Sequence, residues 1–128
     1  MTSGEEPVDY LTVEDLLDVA AGILEEVAVR DLGLLAAAAG RPRTSVFGRD
    51  AYPTFAEKAA ALMHSLARNH ALVDGNKRLA WAVTRVFCLL NGKDLSYDVD
   101  DAETVVVGAA AGDRDVPELA EWILAHLR

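Results

Sequence analysis

"NHALVDGNKRLAW", residues 69–81, is the stretch on which the fold of this chain turns. It gathers a histidine, an acid, a glycine, an amide and two adjacent cations into the nine positions from His70 to Arg78. Helical apolar spacing lies on both sides. Before it, in "FAEKAAALMHSLARN", Phe55, Ala59, Leu62, Met63 and Leu66 supply one buried face, with Thr54 as cap. After it, in "RLAWAVTRVFCLLNG", Trp81, Val83, Thr84, Phe87, Cys88 and Leu90 surround much of the cylinder. The spacing predicts a helix ending near Asn69, a short turn, and a central buried helix beginning at Asn76 or Lys77 and ending at Asn91-Gly92. The first N–H groups of that helix lack intrahelical partners and face outward, so its start can bind an anion.

Each residue of the turn has an ordinary role when taken singly, as turn glycine, cap or exposed cation. Together they point further. Lys77 and Arg78 stand in a first turn, against the positive end of the helix dipole, a placement unfavourable by about 0.3–1 kcal/mol. An anion such as a di- or triphosphate would reverse that sign, since Arg grips phosphate as a fork and Lys as a point charge. Gly75 allows a left-handed backbone or close approach of a ligand. The Asn76 amide can fix the loop or meet a phosphate oxygen. Asp74 beside phosphates suits Mg²⁺, which takes one or two carboxylates plus substrate oxygens. His70 carries an imidazole, able to accept a hydroxyl proton near neutral pH. Base, metal acid, close-approach glycine, amide and two cations make the parts of a phosphoryl- or nucleotidyl-transfer site.

The rest of the chain reads as helix. Thr12 with Asp15 starts "TVEDLLDVAAGILEEVAVRD", whose apolar stripe runs from Leu16 through Ile23 and Leu24 to Val27. "LGLLAAAAG" stops at Gly40. Residues 40–53, "GRPRTSVFGRDAYP", are irregular and basic through Arg41, Arg43 and Arg49, and a short strand or hairpin flap is expected within 44–53. A connection follows at "KDLSYDVDD", extended near Leu95–Tyr97, then "DAETVVVGAAAGD", a helix capped by Asp100 or Asp101 and stopped by Gly112. Asp115, Pro117 and Glu118 open the last helix. The expectation is one all-α domain over 1–128, about six helices packed around a central buried one.

Composition bounds the function. A chain of 128 residues can bury a core without disulfide or metal. Its net charge of −9 argues against direct nucleic-acid binding, which needs a cationic face. Residues 1–9 lack the cationic and apolar regions of a signal peptide and read as a flexible N-terminus. No apolar run approaches the ~20 residues of a membrane span. Cys88, the single cysteine, reads as a buried inert thiol, which fits the cytoplasm. His64, His70 and His126 have no metal-ligand spacing, His64 reads as structural, and Trp81 and Trp122 as core or interface.

These residues resemble the Fic/Doc family. Its motif, His-x-Phe-x-(Asp/Glu)-(Gly/Ala)-Asn-(Gly/Lys)-Arg between two helices of an all-α fold, stands here as His70-Ala71-Leu72-Val73-Asp74-Gly75-Asn76-Lys77-Arg78. Six of its seven specified positions match; Leu72 replaces Phe, and Ala71 and Leu79 stand where Pro and Thr are common. "RPRTSVFG…YPTFAEKAAALMHSLARNH" and "RVFCLLNGK" look like the Doc (death-on-curing) branch, and the likeness spans roughly residues 10–127. The resemblance implies that His70 is the general base for a Ser or Thr hydroxyl, that Asp74 helps hold Mg²⁺, and that Gly75, Asn76, Lys77 and Arg78 hold the phosphates of ATP, with Arg68 also near phosphate. Nucleotidyl-transferring Fic proteins usually carry Gly where Lys77 stands, whereas Doc proteins carry Lys and pass on the γ-phosphate. It further implies a toxin paired with a small antitoxin whose C-terminal segment covers the site, a target such as elongation factor Tu, and a docking flap at 41–53. Two other readings stand beside it: a nucleotidyltransferase (AMP transfer), and a binding protein that kept the fold without catalysis. The family's inhibitory (Ser/Thr)-x-x-x-Glu-(Gly/Asn) motif is approached only by Thr2 and Glu6, where Pro7 breaks the pattern.

Overall fold

Thr12 and Asp15 close a capping box at the start of α1, Val13–Ile23, in this computed structural model, which describes residues 7–128. The Thr2–Glu6 pair and most of the expected N-terminal tail lie outside the described residues. Residues 7–9 of that tail are tied down. Val8 packs on the core, and Asp9 exchanges two backbone hydrogen bonds with the Asn91 amide, at 2.8 and 3.0 Å.

The chain continues through α2, Leu32–Gly40, a single 3₁₀ turn at Arg41–Arg43, and a hairpin of β1, Ser45–Val46, and β2, Arg49–Asp50. Then come α3, Phe55–Arg68; α4, Asn76–Leu90; α5, Val99–Ala111; and α6, Val116–His126. The domain is all-α, with the two-stranded antiparallel hairpin where the flap is expected. Capping chemistry accounts for most boundaries: Thr54 with Glu57 starts α3, and Asp115 with Glu118 starts α6.

Three boundaries or placements differ from the sequence reading. First, α1 stops at Ile23, and Leu24 turns to extended backbone, although the apolar stripe continues to Val27. Leu24 leaves the helix because its side chain is buried under the 70–78 loop, and tertiary packing outweighs the local period. Second, Asp98 rather than Asp100 or Asp101 caps α5, its carboxylate accepting from both of their N–H groups. Third, the helix at the centre is α3. It packs against α2, α4, α5 and α6, and even Lys58 and Ser65 are buried on it. Five alanines among its buried residues let the neighbours approach closely. The excess apolar surface of α4 instead goes outward: Leu89 and Leu90 are exposed, and Trp81 lines a groove.

Phe87 is the largest fully buried side chain and stacks on Phe55 with ring centroids 4.9 Å apart. Cys88 is fully buried beside it, and burial pushes its thiol up to about 12, which leaves it unreactive. Trp81 meets Tyr97 and Trp122 edge-on. No helix among the described residues is long and apolar enough to cross a membrane.

The flap is anchored from below. Lys58 donates to the Asp50 carboxylate at 3.1 Å and to the Tyr52 carbonyl at 2.5 Å. Arg41, expected among the flap's docking cations, turns inward: it donates to Tyr52 Oη at 2.9 Å, Ser65 Oγ at 3.0 Å and His64 Nδ1 at 2.9 Å. Arg43 covers the Tyr10 ring. Only Val46 and Phe47, at the tip, offer large apolar side chains to solvent there.

His64 is therefore structural. Its Nδ1 accepts from Arg41, and its Nε2 faces Asp115 Oδ1 at 3.7 Å. Burial, followed by the Arg41 cation, holds the imidazole below its ordinary 6.5, while Asp115 opposes them. The unfolded chain then binds the proton more readily, so stability is lost as pH falls through about 6.5 toward the lowered folded value. In urea melts at pH 7, 6 and 5, the stability advantage of wild type over His64→Gln is expected to shrink with each step. An advantage that held constant or grew on acidification would contradict this account.

Candidate functional site at the start of α4

The loop between α3 and α4 is held by backbone bonds from a distant segment. Val73 N–H donates to the Ala28 carbonyl at 2.9 Å, and the N–H groups of Arg30 and Asp31 donate to the Ala71 carbonyl at 2.8 and 3.0 Å. Val29 and Leu72 thus form an antiparallel bridge. The loop also closes on itself. Asn76 Oδ1 accepts from Leu72 N–H at 3.0 Å, and Asn76 Nδ2 donates to the Leu72 carbonyl at 2.9 Å. The amide oxygen and one amide N–H are thus engaged with the loop, while Asn76 also lines the cleft. Leu72, in place of the family's Phe, is fully buried, and Ala71 is buried beside it.

Gly75 is required twice over. Its φ of 87° is left-handed, and a Cβ there would stand 2.8 and 2.9 Å from the two methyl carbons of Leu24. Next to it, Asp74 Oδ1 accepts from Gly75 N–H at 2.8 Å. No side chain caps the first turn of α4, which leaves its N–H groups facing the cleft.

That cleft has a volume of about 280 Å³ and is lined by His70, Asp74, Gly75, Asn76, Lys77 and Arg78 together with Ala67, Val73 and Ala110. Six of the seven residues singled out from the sequence are thus brought to one place. The seventh is not. Arg68 is exposed, and its guanidinium lies over Gly112, at the C-terminal end of α5, where a cation meets the negative end of the dipole. It does not line the cleft.

Lys77 and Arg78 have no carboxylate partner among the described residues. Two unpaired cations, a free helix N-terminus and an exposed imidazole in one cleft form a surface for a polyanion. One acid, Asp74, faces it, and no cluster of three or more His, Cys, Asp or Glu stands together among the described residues. One carboxylate is too few to hold an ion alone but suits Mg²⁺ arriving with phosphate oxygens. Lys77 and Arg78 also border a second groove, of about 500 Å³, which is apolar and lined by Ile23, Trp81, Tyr97, Val99 and Val106.

Sequence reasoning missed two residues of this site. Leu24 supports Gly75, and Arg30 donates from Nε to the His70 carbonyl at 2.7 Å and from Nη2 to the Asn69 carbonyl at 3.2 Å. No local spacing could reveal either, because each acts on the loop from about forty or more residues away in the chain.

The model of the Fic/DOC family matches residues 10–88, which include the whole cleft loop. The chain is also 50% identical over 117 residues, 88% of each protein, to a curated protein named Toxin Doc from Mycolicibacterium smegmatis. Motif, helical frame and comparison agree, and the chain belongs to the Fic/DOC family, on its Doc branch.

Proposed function

We propose that this chain is a Doc-like toxin that transfers the γ-phosphate of ATP to a Ser or Thr hydroxyl of a protein target. The observation that carries the reading is Lys77, a long unpaired cation in the first turn of α4 beside His70 and Arg78. Where Gly would leave room for nucleotide phosphates, Lys fills the space and supplies a charge. ATP brings the phosphoryl group to be moved, and Mg²⁺ bound with it would neutralise phosphate charge.

The chain's own residues divide the work. His70 takes the proton from the target hydroxyl as its oxygen joins the phosphorus, and ADP departs. Lys77, Arg78 and the free N–H groups of α4 hold phosphate oxygens; Gly75 lets the backbone come close. Asp74, whose Oδ1 accepts from Gly75, is the carboxylate that would help hold the metal. Such chemistry needs positioning and charge neutralisation more than covalent assistance. Elongation factor Tu is the target to try first, and its modification would halt translation in the cytoplasm. A small antitoxin is the expected partner, and the apolar groove beside Lys77 is a surface its segment could cover.

The test supplies γ-labelled and α-labelled ATP in separate reactions with purified elongation factor Tu. Label from the γ-position alone is expected. Label from the α-position would replace this reading with nucleotidyl transfer.

A further inference from the structure

We propose that Arg30 is a positioning residue for His70, holding the backbone at 69–71 so that the imidazole faces the cleft; this rests on the reading of His70 as the base. His70 has a φ of 52°, in the left-handed region that non-glycine residues seldom adopt. Such a conformation persists only where the surroundings over-determine it. Arg30 does much of that. Its fork spans two consecutive carbonyls, those of His70 at 2.7 Å and Asn69 at 3.2 Å. Those two carbonyls lie in the two peptide planes that flank the His70 Cα, so fixing both constrains the backbone angles of His70 and with them the direction of its Cα–Cβ bond.

The clamp itself is rigid. The Arg30 N–H is bonded to the Ala71 carbonyl at 2.8 Å, so the main chain and the side chain of one residue grip three consecutive carbonyls, 69 to 71. The pairing of Val73 N–H with the Ala28 carbonyl extends the same splint. Arg30 does not line the cleft, so it acts through His70 and not on a substrate. A lysine could reach one carbonyl but not span both, because it lacks the planar fork.

The experiment compares wild type, Arg30→Lys and Arg30→Ala. The ¹³Cα and ¹³Cβ shifts of His70, read without nucleotide, report its backbone conformation. They are expected to move from left-handed toward extended values in Arg30→Ala, with Arg30→Lys between. In transfer assays kcat should fall about 10- to 100-fold in Arg30→Ala, the loss typical of a catalytic group displaced by roughly 1 Å. KM for ATP should change less than about threefold, since Lys77 and Arg78 remain, and millimolar guanidinium should restore part of kcat. Unmoved His70 shifts in Arg30→Ala, or in Arg30→Lys should the alanine variant not fold, overturn the proposal. So does a kcat loss that merely follows the loss of folded protein. Shifts that move in a protein whose wild type transfers no phosphate uphold the clamp and reject the transferase reading instead.

Discussion

Expression of the wild-type chain is expected to arrest growth, and His70→Ala to relieve that arrest and to lower phosphate transfer about 10²- to 10⁴-fold, the usual contribution of a positioned general base. The imidazole is exposed and lines the cleft, and the one carboxylate there, that of Asp74, is already turned to Gly75. Stability should barely change, because the side chain is exposed and its backbone is held by Arg30. Growth on induction, followed with melting of the purified variant, checks both halves. A harmless wild type whose behaviour neither His70→Ala nor Lys77→Ala alters would mean that the fold is kept for binding alone.

Gly75→Val should cost more in folding than any other single change in the loop. The left-handed φ of 87° penalises a Cβ by about 1–2 kcal/mol. Independently, that Cβ would stand 2.8 Å from a Leu24 methyl which is itself buried, and forcing such a fit costs about 1–3 kcal/mol more. The sum corresponds to a fall in Tm of order 10 °C, with transfer lost as well because α4 can no longer start in register. The two causes separate in a double variant: Leu24→Ala should recover part of the stability of Gly75→Ala by clearing the space, but not the part due to φ. Equal melting of Gly75→Val and wild type would refute both.

The helices were readable where their signals are local. Thr12, Thr54 and Asp115 are followed three residues later by acids, and those capping boxes form as the pattern implies. The order His70 to Arg78 was also enough to predict a turn, a helix start and a gathering of charge. What failed were inferences that needed to know which surface another segment would cover. The period of α1 runs on to Val27, yet Leu24 is worth more beneath Gly75 than in another helical turn. Arg41 looked like a docking cation of a basic loop and is instead the post that joins the flap to α3.

By itself the sequence determined an all-α chain with charged residues gathered at the start of α4, because capping, apolar period and the order of charges along a turn are all short-range physics. The tertiary structure decided how the cleft there is held in shape. A left-handed histidine and a glycine with no room for a Cβ are set by Leu24 and the Ala28–Asp31 segment, which local patterns cannot connect to them. Long-range hydrogen bonds and side-chain volume make that connection, and they exist only once the chain has folded.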